Sequence, residues 1–224
     1  MDYSKNKGVL RSHYTRNGII EHFEKDNNYL EDAFNEITKI WFNNLDQINE
    51  VKYLMIAEAP LWGKSKSYIY NPDTPFTQFF YKSDLEYILN IQIKDKAEFI
   101  KCCNKIGLLI IDISPFALNS EDTVINYRSK SKNNPYGLTE QQYRELVERT
   151  IPMFFEEKIK AIAPKMSSDI KVFFRYARVN KRFQDLISEI LVTNGLIKSG
   201  NEILDISKGG GGIDRKKFEI ILLS

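Results

Sequence analysis

Histidine and cysteine are scarce in this 224-residue chain, two of each, and their positions exclude most of the chemistry that depends on them. Cys102 and Cys103 are adjacent, so they cannot close an ordinary intrachain disulfide and lack the CxxC spacing of zinc and redox sites. They read as small buried hydrophobes at a helix end. His13 and His22 sit near the N-terminus with no Cys or Asp at ligand spacing, so no metal is expected. No stretch approaches the roughly 18 to 20 uninterrupted apolar residues of a bilayer span. The start, MDYSKNKGVLRSHY, has no apolar core of a signal peptide, so the expectation is a cytoplasmic protein away from membranes. Charge of one sign is also lacking. A net +2 does not by itself argue for nucleic acid, because phosphate binding needs a basic stripe rather than a net count.

What is present is apolar patterning, with 42% hydrophobic residues, enough for one sizeable core near the upper size of a single domain. Leu30, Phe34, Ile37 and Trp41, spaced by three and four, mark an amphipathic helix within an N-terminal helical extension over about 14–48. VKYLMIA (51–57) and IGLLIIDISPF (106–116) are strand-length apolar runs that lead into proline-bearing loops, with helical character between them over 76–105. The polar, basic segment 119–136 has the composition of a mobile surface loop. Thr139 is the candidate N-cap of a helix that carries Tyr143, Leu146, Ile151, Phe154 and Phe155 in phase and stops before Pro164. IKVFFRYARV (170–179) reads as a third strand, RFQDLISEILVTNGL as a helix closed by Gly195, NEILDIS (201–207) as a fourth strand and IDRKKFEIILL as a closing helix. Strands alternating with helices predict an α/β fold: a three-layer α/β/α sandwich with a central, mostly parallel four-stranded sheet, one domain over 1–224. Ligands of such sheets bind beyond the carboxyl ends of the strands, where loops 57–75, 112–136, 178–182 and 207–214 are expected to converge.

The first of these loops, AEAPLWGKSKSYIYNPDTPF, joins an acid, a rigid turn, lysines and aromatics directly after a buried strand. Its backbone N–H groups could cradle an anion, and Tyr68, Tyr70 or Phe76 could stack on a planar ligand. The same residues also suit a plainer role, with Glu58 capping a helix and the aromatics in the core. The glycines at 209–212 either let backbone approach a phosphate at the start of the closing helix or form a flexible connector. They do not form a GxxxxGK[ST] loop. Three basic clusters, 128–132, Arg175 with Arg178, Lys181 and Arg182, and 215–217, read either as phosphate contacts or as solvated surface.

VKYLMIAEAP, the aromatic-bearing loop after it and GLLIIDISPF together resemble the uracil-DNA glycosylase superfamily, in which Gly-Glu-Ala-Pro-Gly or Gly-Gln-Asp-Pro-Tyr ends the first strand. The order of elements from about residue 50 onward is similar to that family's sandwich. The resemblance implies a base-excising N-glycosylase, without a cofactor, that binds DNA or a nucleotide-like ligand. It places Ala57, Glu58, Ala59 and Pro60 on the first motif and Asp112 on the polar residue that reads the base edge. Phe76, or one of Phe79 and Phe80, falls on the aromatic that stacks on the flipped base. Ile206, Ser207, Lys208 and Gly209, with Gly210, fall on the last motif, His-Pro-Ser-Pro. There the chain departs from the family: no histidine follows position 22, which leaves excision to Glu58, Asp112 and a cation such as Lys208. Nor are there four cysteines for an iron–sulfur cluster. DNA contacts would fall to Arg128, Lys130, Arg178, Lys181, Arg182, Arg215 and Lys216. An ionised Asp112 offers only acceptors where an amide offers a donor as well, so it would repel uracil O4 and welcome an exocyclic amino group. The rival expectation is a catalytically inert protein that uses the same cleft for a small metabolite or a protein partner.

Overall fold

A computed structural model describes residues 1–63, 65–74, 81–118, 122–127, 130–208 and 212–224. At its centre is an all-parallel sheet in the order β2-β1-β3-β4, made of β1 (Val51–Ala57), β2 (Leu108–Asp112), β3 (Met166–Phe174) and β4 (Leu204–Asp205). Leu54, Met55 and Ile56 of β1 are fully buried, the continuous apolar run of a strand covered on both faces. Alternation along the strands sends Leu54, Ile56, Leu109, Ile111, Val172 and Phe174 to one face. That face is covered by α1 (Ser4–Arg16), α2 (Phe23–Asp46), α5 (Glu140–Ile162) and α6 (Ala177–Thr193). Met55, Ala57, Leu108, Ile110 and Phe173 point the other way, towards α3 (Lys82–Leu89), α4 (Lys96–Ile106) and α7 (Arg215–Leu223). The result is the three-layer α/β/α sandwich expected from the sequence. No helix among the described residues is long and apolar enough to cross a membrane.

Local signals set several boundaries. Thr139 caps α5 in a full capping box with Gln142, and α5 ends as Ala163 and Pro164 begin a short 3-10 turn. Gly195 follows α6 at φ +72°, a left-handed conformation open to glycine. Gly107 does the same after α4 at φ +79°, so close to the start of β1 that a Cβ there would lie 2.4 Å from the Glu50 carbonyl oxygen.

Four expectations are corrected. The helix placed over 14–48 is two helices, because Gly18 turns the chain at φ +66°. Residues 4–16, with no strong apolar stripe, form α1 by burying Asn6 and His13 alongside Val9, Leu10 and Tyr14. The third strand ends at Phe174 rather than 179, and α6 begins at Ala177, so 178–182 is helix and not a strand-end loop. The fourth strand shrinks to two residues, because Gly200–Glu202 form a capped 3-10 turn and Ser207–Lys208 (β5) pair in an antiparallel hairpin with Gly212–Ile213 (β6). Finally, the described part of 119–136 is packed rather than free. Thr123, Ile125 and Asn126 are buried, and the carboxylate of buried Asp26 accepts the Val124 N–H at 2.8 Å.

Candidate functional site

The carboxyl edge of the sheet places three residues in one row. Asp112 ends β2 as the register partner of Ala57. Arg175 directly follows β3, its N–H donating to the Ile56 carbonyl at 2.9 Å, one step beyond the Ile56–Phe174 pairing. The period of two points Asp112, Ala57 and Arg175 to the same face, with the small Ala57 between the two charges. They line a half-enclosed cavity of about 70 Å³, whose described walls include Ala59, Pro60, Tyr68, Tyr81 and Tyr176. That is room for ordered water or the inserted edge of a planar ring.

Both charged groups are inside the protein. Asp112 is 3% exposed and accepts a hydrogen bond from the Tyr70 hydroxyl at 2.8 Å. Burial pushes its carboxyl pKa up, while the charge of Lys158 and the Tyr70 hydrogen bond pull it back. Arg175 is 4% exposed, its guanidinium 4.6 Å from the centre of the Tyr176 ring and 5.8 Å from that of Tyr81, distances at which ring faces stabilise a cation. Lys158 lies behind the row on α5, fully buried, its amine 4.2 Å from the centre of the Phe154 ring and 4.6 Å from that of Trp41. Its Nζ has no hydrogen-bond partner among the described residues. Burial lowers the Lys158 pKa to about 8 against the opposing pull of Asp112.

The described residues of the loop after β1 are tied to the body of the protein. Trp62 and Tyr68 stack at 6.2 Å, Lys66 pairs with Glu36 of α2 at 2.6 Å, and the Lys96 amine donates to the Tyr68 carbonyl and the Thr74 hydroxyl at 2.7 Å each. Such supports hold the pocket wall in place before any ligand arrives.

Of the residues chosen from sequence, Ala57, Ala59, Pro60, Tyr68 and Asp112 line this pocket, and Tyr70 stands behind it holding Asp112. Glu58, between two pocket-facing alanines, turns away: one carboxylate oxygen is ion-paired with Arg178, and the other is buried. The Tyr143 hydroxyl lies nearby, its pKa raised by burial first and by the Glu58 charge second. Ser207 gives its N–H and hydroxyl to Asp205 at 2.8 and 2.5 Å, and Lys208 is exposed on the β5–β6 hairpin. Neither Glu58 nor Lys208 is among the described residues that line the pocket with Asp112. Arg182 pairs with Glu140 and Arg215 with Asp84, both at 2.7 Å, whereas Lys130, Lys181 and Lys216 are exposed. Phe76, Phe79, Phe80, Arg128, Gly209 and Gly210 lie outside the described residues.

Sequence reasoning missed Lys158, Tyr81 and Tyr176, and counted Arg175 among surface cations. A signal for Lys158 existed: it lies four residues after Phe154 and three after Phe155, on the apolar face of its helix. Arg175 was legible as the first polar residue after FF at the end of a buried strand, the position occupied by Asp112 on β2. No group of three His, Cys, Asp or Glu among the described residues could hold a metal ion.

Comparison of the chain with family models, curated proteins and solved structures finds no match.

Proposed function

We propose that the strand-end pocket binds a nucleotide-like ligand through its base, as the likeness to uracil-DNA glycosylases suggests, with excision of that base slow or absent. The observation that carries this reading is the row of buried Asp112, small Ala57 and buried Arg175 beneath an aromatic wall. It offers a planar ring a floor, two polar contacts of opposite character and stacking partners. The balance towards binding rests on the catalytic candidates. Glu58 is turned to Arg178, and Lys208 stands out on a hairpin. A missing positioned donor for the leaving base costs about 3 to 4 kcal/mol, a hundredfold to a thousandfold in rate.

A free ligand fits better than a duplex. Three of the six described candidate phosphate contacts, Arg178, Arg182 and Arg215, already have carboxylate partners, and a phosphate would have to compete with each. Titration with nucleosides, nucleotides and single-stranded oligonucleotides, alongside an excision assay on oligonucleotides carrying uracil, hypoxanthine, xanthine and alkylated bases, tests the reading. Saturable nucleoside binding that Asp112→Ala abolishes, with little excision, is expected. Absence of binding to any of these compounds would overturn it.

A further inference from the structure

We infer that the pocket selects bases carrying both an amino group and a carbonyl oxygen, cytosine or guanine, and that Arg175 is the residue that reads the carbonyl side. The inference rests on the nucleotide-like reading and adds to it the class of base and a second recognition residue.

Asp112 and Arg175 occupy corresponding positions on strands either side of β1, at the same level of the sheet and on the same face. Adjacent strands are about 4.8 Å apart, so the two backbones are separated by roughly 10 Å across Ala57. Both side chains line the cavity beside Ala57. Only a methyl group occupies the floor between them, so a ring edge can enter there.

The two ends of the row differ in what they accept. A carboxylate takes N–H donors and repels carbonyl oxygens, while a guanidinium only donates, through a planar fork suited to two adjacent acceptors. Along its pairing edge cytosine shows an amino group, a ring nitrogen acceptor and a carbonyl oxygen: the amino group suits Asp112 and the two acceptors suit the Arg175 fork. Guanine can give its N1–H and amino group to Asp112 and O6 with N7 to Arg175, the pairing by which arginine commonly reads guanine. Uracil would set a carbonyl against the carboxylate, and adenine has no carbonyl oxygen for the fork. With five N–H donors, Arg175 can keep contacts within the protein and still meet a ligand.

The test is calorimetric titration of the intact protein with cytidine, guanosine, uridine and adenosine, repeated on Arg175→Lys and Asp112→Asn. Cytidine and guanosine should bind at least about tenfold tighter than uridine and adenosine, the ratio set by one charge-assisted hydrogen bond. Arg175→Lys keeps the charge and loses the fork. It should shrink the cytidine-to-adenosine ratio towards one, and Asp112→Asn should do so for cytidine-to-uridine. Each ratio is taken on a single protein preparation, so partial loss of folded material in a variant cancels, and a melting curve confirms that a transition remains. Nucleosides that bind with unchanged ratios in Arg175→Lys would overturn the inference and leave the binding reading standing. A wild-type protein that binds none of the four would overturn the inference, and one that binds no nucleotide or oligonucleotide either would overturn both.

Discussion

Lys158→Met should stabilise the protein, although it removes the charge facing Asp112. Lys158 is completely buried, its amine between the rings of Trp41 and Phe154 and without a hydrogen-bond partner among the described residues, and burial lowers its pKa from 10.5 to about 8 against the attraction of Asp112. At about 1.4 kcal/mol per pKa unit, keeping the proton there costs the fold about 3 kcal/mol at neutral pH. Methionine is unbranched, of similar reach and without charge, so it fills the slot and removes this cost. Asp112 keeps the Tyr70 hydrogen bond and can take up a proton, so it is not stranded as a bare charge. The sign with pH follows from linkage: the folded state holds this proton less tightly than the unfolded chain. Its contribution is fully present above pH 10.5 and is lost as pH falls through about 8. Wild-type stability should therefore rise between pH 8 and 10, and the variant should lack that part of the rise. Lys96, whose pKa burial also lowers to about 8, titrates in the same window in both proteins and drops out of their difference. Urea unfolding at pH 7, 8, 9 and 10 measures it. Destabilisation of the variant by about 3 to 5 kcal/mol, as when a tight buried ion pair is broken, would show that attraction to Asp112 outweighs burial and refute the reasoning.

The remaining expectations concern the frame around the pocket. Burial lowers the His13 imidazole pKa to about 4, with Glu145 opposing. Stability should therefore be full above pH 6.5 and fall by up to about 3 kcal/mol as pH drops towards 4; His13→Gln should flatten that slope in urea melts. Gly107→Ala forces a side chain into a left-handed conformation against the Glu50 carbonyl, and should lower stability by more than about 2 kcal/mol in thermal melts. Thr139→Ala removes the capping box of α5 and should cost about 1 kcal/mol, while Thr139→Ser should cost only a few tenths; an equal loss in both would place the effect elsewhere.

The sequence by itself determined the layer architecture and where to look for a site. Short apolar runs within 51–57 and 108–112, each followed by a proline-bearing loop, read as buried strands. The phases of α2, α5 and α6 showed which helical faces are buried, and the parallel-sheet rule pointed to the strand ends at Ala57 and Asp112 as the place to look for a site. Capping chemistry at Thr139 and Gly195 was legible because it acts between residues three or four apart. Other features depended on contacts between residues distant in sequence. Arg178 and Glu58, separated by 120 residues, form an ion pair that charge counting along the chain does not show. The buried polar residues of α1 hid a helix from hydrophobic periodicity, because their burial follows from the helices they meet and not from their own character. Above all, sequence showed Asp112 and Arg175 as unrelated charges 63 positions apart. Only the pairing of β2 and β3 on either side of β1 sets them at one level across Ala57, because strand register is decided by hydrogen bonds between chain segments whose spacing along the sequence carries no record of it.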